Sequence, residues 1–415
     1  MGMGRRFVFG LTYAAYIVVY FTRKPLSVTK STLTTTHAHS EAELGLIDTA
    51  FLIAYAVGQF ASGLVASRVG VRVGLAMAFV GTGVCAYLFG ASDSKDVRAI
   101  AWCLNGVFQA LFFPLIADVL RAWFPPSTRG QVMGFWTTCQ QVGGFATSAF
   151  GAYVLSQPGL SWRDVFTMPS YLSVAFALVT LTLLSPAPVS SDKSLHNVLH
   201  TPSTSTLSIR DVLELPNLVH ISAAYFCIKL VRYTYLGWLP FYLTNMLGYS
   251  APQAVLMSTV FDLAGTLGSV LCGIVSDKVY LGHSAKVVGP MCLFCGVTTL
   301  LYPHVAPLGQ GVNLFTMALV GLFVAGPDSM LGGAACAEVC DRANAPSASA
   351  MATGIANGMG SLGAIASGML PILLKEHFGW DVLFYAMGLL AMLGGLLLLP
   401  MMRVRPSGSH KTKDS

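Results

Sequence analysis

What most constrains this chain is the recurrence, along all 415 residues, of apolar runs about 20 residues long. A bilayer core of about 30 Å is spanned by roughly 20 residues of α-helix, whereas a β-barrel would need alternating segments of about ten, and none is present. The sequence therefore reads as an all-α polytopic membrane protein embedded in a lipid bilayer. Composition agrees, with 54% hydrophobic residues and only 10% charged, against about 25% charged in an ordinary soluble domain.

Charged residues, Pro and Gly punctuate twelve expected spans: 7–29, 44–67, 72–91, 98–123, 130–155 and 164–186, then 216–247, 252–276, 286–304, 311–337, 349–374 and 381–402. The polar stretch "SSDKSLHNVLHTPSTSTLSIRD" separates the two sets. The expected organisation is an N-terminal six-helix half (1–189), a cytosolic linker (190–211), a C-terminal six-helix half (212–402) and a basic tail (403–415). Placing the N terminus inside puts about 15 Lys/Arg on the side of both termini and about 5 opposite. Both termini are thus expected in the cytosol. The net charge of +6 is then a topology signal, not a nucleic-acid one.

No A-x-A cleavage site follows a short apolar core, so the first run reads as a retained helix. Cys292 and Cys295 form a CxxC with lipid-compatible flanks, which suits helix packing better than metal or redox chemistry. His37, His39, His196, His200 and His220 sit mostly in loops without a metal-ligand or triad arrangement. Neither an enzyme nor a cofactor is expected.

The halves repeat. "GQFASGLVASR" matches "GSVLCGIVSDK", with Gly58/Gly268, Gly63/Gly273 and Arg68/Lys278 all offset by 210 residues. "WRDVF" at Trp162 is echoed by "WDVLF" at Trp380. Arg23 and Arg232 are offset by 209, so each half carries one intramembrane arginine at an equivalent place. Such repeats about an axis along the membrane normal are the architecture of major facilitator carriers.

An intramembrane arginine needs a cavity or a partner. Two guanidinium forks facing one cavity make an anion site. The competing reading pairs each arginine with Asp262 or Asp328 for structure alone, which leaves the repeat symmetry unexplained. Lys229, one turn before Arg232, shares its face. Lys24 is rotated about 100° from Arg23 and is expected to point elsewhere. Pro25 is expected to kink the first helix beside a wet cavity.

"YFTRKPLS", "NGVFQALFFP", "RAWFPPSTRG", "WTTCQQVGG", "LVRYTYLGWLPFYL" and Gly326–Pro327 together resemble the organophosphate:phosphate antiporter family, within the major facilitator superfamily, over nearly the whole chain. The resemblance implies that Arg23 and Arg232 bind substrate, that Tyr16, Tyr20 and Tyr55 line the cavity, and that Asp262 is the family's acidic residue of the eighth helix. Departures are marked. Gln59 and Gln140 replace a lysine and a histidine in the pocket, and Phe113 replaces a tryptophan. Lys229, Ala325 and Ser361 replace tyrosines, Asp118 replaces a basic residue, and Ser67 replaces an aspartate whose repeat mate Asp277 is kept. Asp262, Asp328, Asp277 and Arg68 are expected in gating or coupling.

The expected function is exchange of a small organic anion, above all a sugar or glycerol phosphate, for inorganic phosphate by alternating access in a monomer. Alternatives are a carrier for a non-phosphorylated anion and a transporter-like sensor. Lys411 and Lys413 in "KTKDS" look like an endoplasmic-reticulum retrieval signal. Without that signal, the plasma membrane or another organelle is expected.

Overall fold

The computed structural model describes residues 3–36, 38–125, 132–133, 135–186, 209–345 and 348–402. The linker and the basic tail expected over 190–211 and 403–415 fall outside these residues, apart from Ile209–Asp211 in a short helix.

Among the described residues the chain is helical throughout and makes twelve passes. The first is bent into α1 (Met3–Arg23) and α2 (Pro25–Thr35). Then come α3 (Glu41–Val69), α4 (Val71–Ala91), α5 (Lys95–Trp123), α6 (Cys139–Ser156) and α7 (Asp164–Leu183). After the short α8 (Ile209–Leu213) follow α9 (Leu218–Asn245), α10 (Ala251–Lys278) and α11 (Ala285–Val305). The tenth pass, expected as one helix, is split into α12 (Gln310–Leu331) and α13 (Ala334–Arg342). The last two passes form α14 (Ser349–Leu397), bent where Gly379 has φ 85°, and end in α15 (Leu399–Met402). A positive φ is cheap only for glycine, so Gly379 is the hinge of that connection.

Helix contacts in the first set recur in the second. α3 packs on α5 as α10 packs on α12, and α4 lies against α5 and α7 as α11 lies against α12 and the second arm of α14. The closest crossings use the same device. A Cβ on Gly106 would overlap the carbonyl oxygen of Phe51, and one on Gly321 would overlap that of Phe261. Phe51 and Phe261 are themselves 210 residues apart. Between membrane helices there is no hydrophobic drive to associate, so backbone approach at small residues carries the packing.

Seven stretches among the described residues are long and apolar enough to cross a membrane unaided, and α1, α6 and α9 are not among them. These three helices bring Tyr20, Arg23, Gln140, Gln141, Arg232 and Tyr233 to the wall of a central cavity. Their departure from lipid-like composition follows from facing that cavity, where polar side chains find water or partners.

Gly106→Ala and Gly321→Ala should each cost about 1–3 kcal/mol by overpacking a backbone contact. Gly273, with no atom within 4 Å of a Cβ, should accept alanine. Thermal unfolding in detergent separates the cases: equal stability of all three variants would refute this account of the crossings.

Candidate functional site: a charged cavity between two helix sets

The site begins with the bend in the first pass. Pro25 has no N–H and disfavours helical geometry at Lys24, so α1 ends at Arg23 and α2 starts on a new axis. The Lys24 backbone N–H still donates to Tyr20 O at 3.0 Å, so the pass is kinked and not severed. The turn before the kink is anchored from "NGVFQ". Asn105 Nδ2 donates to Thr22 O at 2.9 Å, and Gln109 Nε2 donates to the hydroxyls of Thr22 (3.0 Å) and Thr82 (2.9 Å). The Thr82 hydroxyl in turn donates to Asn105. This buried network ties α1, α4 and α5 together directly before Arg23.

The cavity has a volume of about 140 Å³ and is walled by both helix sets. Arg23 lays its guanidinium over the Tyr55 ring at 4.5 Å, with Tyr20 and Phe51 each at 6.0 Å. Among the described residues no carboxylate pairs with it. From the other set, Arg232 forms an ion pair with Asp328, whose second oxygen lies 3.4 Å from Lys229 Nζ. Lys24 crosses between the sets: its Nζ is 2.5 Å from Asp262 and donates to Gly144 O at 3.4 Å. Gly143 and Gly144 of "WTTCQQVGG" make this possible. A Cβ on Gly143 would press on Tyr20 at 2.9 Å, and Gly144 presents its carbonyl to Lys24.

Beyond the clamp, the end of the bundle away from the termini is sealed. Ser27 Oγ donates to Leu236 O at 2.6 Å, and Lys375 pairs with Glu41 at 2.5 Å. At the crossing of α3 and α14, a Cβ on Gly368 would overlap Thr49. The contacts of Lys24, Ser27 and Lys375 that join the two sets lie at the level of Lys24 or beyond.

Several expected positions are corrected. Lys24 lines the cavity beside Arg23, because the first pass sits at a four-helix seam where neighbouring residues 100° apart meet different walls. Lys30, one residue past the expected 7–29 span, is on α2, fully buried and paired with Asp48, its Nζ 3.4 Å from the Trp238 ring centre. Asp262 takes Lys24, leaving Asp328 for Arg232 and Lys229. Tyr16 is 3% exposed and packs edge-on against Trp136 at 4.9 Å, away from the cavity lining. Gln59 is exposed and also outside the lining, as is Lys229, held back beside Tyr225 and Tyr233. Arg68 and Asp277 are exposed near the ends of α3 and α10.

Tyr20 and Gln140 do line the cavity and approach each other at 3.4 Å. The lining also holds Asp48, Trp102, Gln141 and Tyr233, which sequence reasoning did not single out. Asp48 had a readable signal, an aspartate inside an apolar span.

Known proteins place this architecture. Residues 12–350 match the family described as Major Facilitator Superfamily. The putative glycerol-3-phosphate transporter 2 of Arabidopsis thaliana is 30% identical over 94% of this chain and 85% of its own length. Sugar phosphate exchanger 3 of Bos taurus is 27% identical over 91% of this chain and 88% of its own. In fold, a bacterial homologue of the human lysosomal transporter Spinster superposes with a TM-score of 0.73 at 15% identity, covering 97% of this chain and 96% of that one. The chain is an integral, multi-pass membrane protein and belongs to the major facilitator superfamily of transporters.

Proposed function

We propose that this protein exchanges a phosphate ester, a sugar phosphate or glycerol phosphate, for inorganic phosphate by alternating access. The observation that carries the reading is the convergence of Arg23 and Arg232, from opposite helix sets, on one cavity. The names of its relatives, sugar phosphate exchangers and glycerol-3-phosphate transporters, agree with it.

The geometry supports a mechanism. Five cations (Arg23, Lys24, Lys30, Lys229 and Arg232) face three carboxylates (Asp48, Asp262 and Asp328), an excess of two positive charges. A phosphate monoester carries about −1.5 to −2 at pH 7 and brings three acceptor oxygens. Arg23, without a carboxylate, is the first docking point, and Tyr20 and Gln140 flank it. Arg232 then shares its fork between Asp328 and the bound phosphate. Lys24 exchanges Asp262 for the same group, which undoes the tie between the sets. The six-helix units, 1–189 and 212–402, rock about the site as Lys375–Glu41 and the α3–α14 crossing part. An empty site with two uncompensated cations resists closure, so exchange outruns net flux. Asp328 and Asp262 hold the cations in the unloaded state, and Arg68 and Asp277 act at the opposite gate.

In this reading both termini face the cytosol, and the structure is the state closed on the other side. The carrier works as a monomer. The tail acts as a retrieval signal for the endoplasmic reticulum; a surface reporter bearing "HKTKDS" should be retained inside the cell, and surface arrival would rule this out.

Proteoliposomes loaded with inorganic phosphate should take up hexose or glycerol phosphate only in exchange. Arg23→Gln and Arg232→Gln should each lower the rate about 10- to 100-fold, the scale of a lost charged hydrogen bond. Exchange that survives both changes would sink the clamp. Separately, Lys24→Asp and Asp262→Lys should each impair exchange, and the double swap should recover part of it. No recovery would mean that the pair does not act as a tie between the sets.

A further inference from the structure

The cavity has two chemically different ends. One holds the Arg23, Arg232 and Lys24 cations. The other, toward the sealed end, holds Asp48, Ser27 and Ser367. Seven residues, about 10 Å of helix axis, separate Asp48 from Tyr55, on which Arg23 lies.

At this second end the serine hydroxyls, the Trp238 indole and one N–H of Lys30 are already committed as donors. Lys30 gives its ammonium to Asp48 Oδ2. Ser27 donates to Leu236 O at 2.6 Å, Ser367 donates to Ala364 O at 2.6 Å, and Trp238 Nε1 donates to Ser367 O at 3.1 Å. Acceptors remain free beside them. Asp48 Oδ1 has no hydrogen-bond partner among the described residues, and the serine oxygens keep lone pairs. Gly237 lies against this ion pair, where a Cβ would stand 3.5 Å from Lys30 Nζ and 3.8 Å from Asp48 Oδ2. Trp102 and Phe51, with ring centres 5.7 Å apart, form an apolar wall between the two ends.

We infer that Asp48, with Ser27 and Ser367, is the subsite for the hydroxylated end of the substrate, selecting neutral polyol phosphates over alkyl phosphates and phosphorylated carboxylic acids. The inference rests on the phosphate-ester reading above and adds the orientation of the ester: phosphate on the arginines, hydroxyls on the acceptor end. A polyol donates hydrogen bonds to these acceptors and lays its carbon face on Trp102 and Phe51. An alkyl chain leaves a carboxylate oxygen unsatisfied, and a substrate carboxylate meets Asp48 as a like charge. Lys30 is a positioning residue. It is buried behind Asp48 and, through the ion pair, fixes which oxygen faces the cavity.

The test is competition against exchange of labelled inorganic phosphate in proteoliposomes. Glycerol 1-phosphate should compete about tenfold or more better than propyl phosphate or 3-phosphoglycerate. In Lys30→Met/Asp48→Asn, which removes both buried charges together, the ratio of glycerol phosphate to propyl phosphate should fall toward one. Each ratio is taken against inorganic phosphate in the same vesicles, which cancels a general loss of activity. Equal competition by propyl phosphate in the wild type overturns the subsite, whether or not the variant folds. Discrimination kept by the double variant overturns it as well. Absence of phosphate exchange in the wild type overturns the phosphate-ester reading and this inference with it, a result unlike either of the others.

Discussion

A cation inside a membrane cannot be left without a partner, and the arrangement of this protein follows from where five of them find one. Translocon-scale costs of about 2.5–3.5 kcal/mol per buried lysine or arginine would make five unpaired cations prohibitive. Three carboxylates, drawn from α3, α10 and α12, take four of the cations. Arg23 is left with aromatic faces, of which Tyr55 at 4.5 Å is the nearest. That imbalance is what a binding site for a dianion requires: charge held in place, incompletely neutralised, and opened to a cavity instead of to lipid.

Holding charge in place demands stiff surroundings, and these are built from uncharged residues. The Thr22–Thr82–Asn105–Gln109 network pins the first pass one residue before Arg23. On the neighbouring face, Gly106 lets α5 meet the backbone of α3, and Gly321 gives α12 the same approach to α10. The "NGVFQ" motif thus serves positioning, with Asn and Gln reaching α1 and Gly between them admitting α3. The two helix sets meet through sparser contacts, and the Lys24–Asp262 pair that links them lies in the cavity itself. In the proposed exchange, an entering anion would compete with Asp262 for the same ammonium, so the pair would report occupancy.

Much of this was legible from the chain. Apolar runs marked the passes, the 210-residue offset marked the repeat, and charge within apolar runs drew attention to Arg23 and Arg232, which line one cavity. Pairing was the part that could not be read. Lys24 looked misdirected because helical rotation was counted on a straight helix with one wet side. Lys30 fell just outside the expected 7–29 span because α2 resumes after the kink and runs to Thr35. Tyr16 matched a family position, yet Trp136 and Phe113 fill the space around it.

By itself the sequence determined that the chain spans a membrane in twelve passes and that each half brings an arginine to an equivalent depth. Those properties depend on local composition and on spacing along one chain. Only the tertiary structure decided which carboxylate neutralises which cation, that Asp48 faces the cavity with one oxygen to spare, and that Arg23 keeps none for itself. Coulombic partnership depends on distances between helices hundreds of residues apart, and one residue of rotation at a kink is enough to exchange the partners.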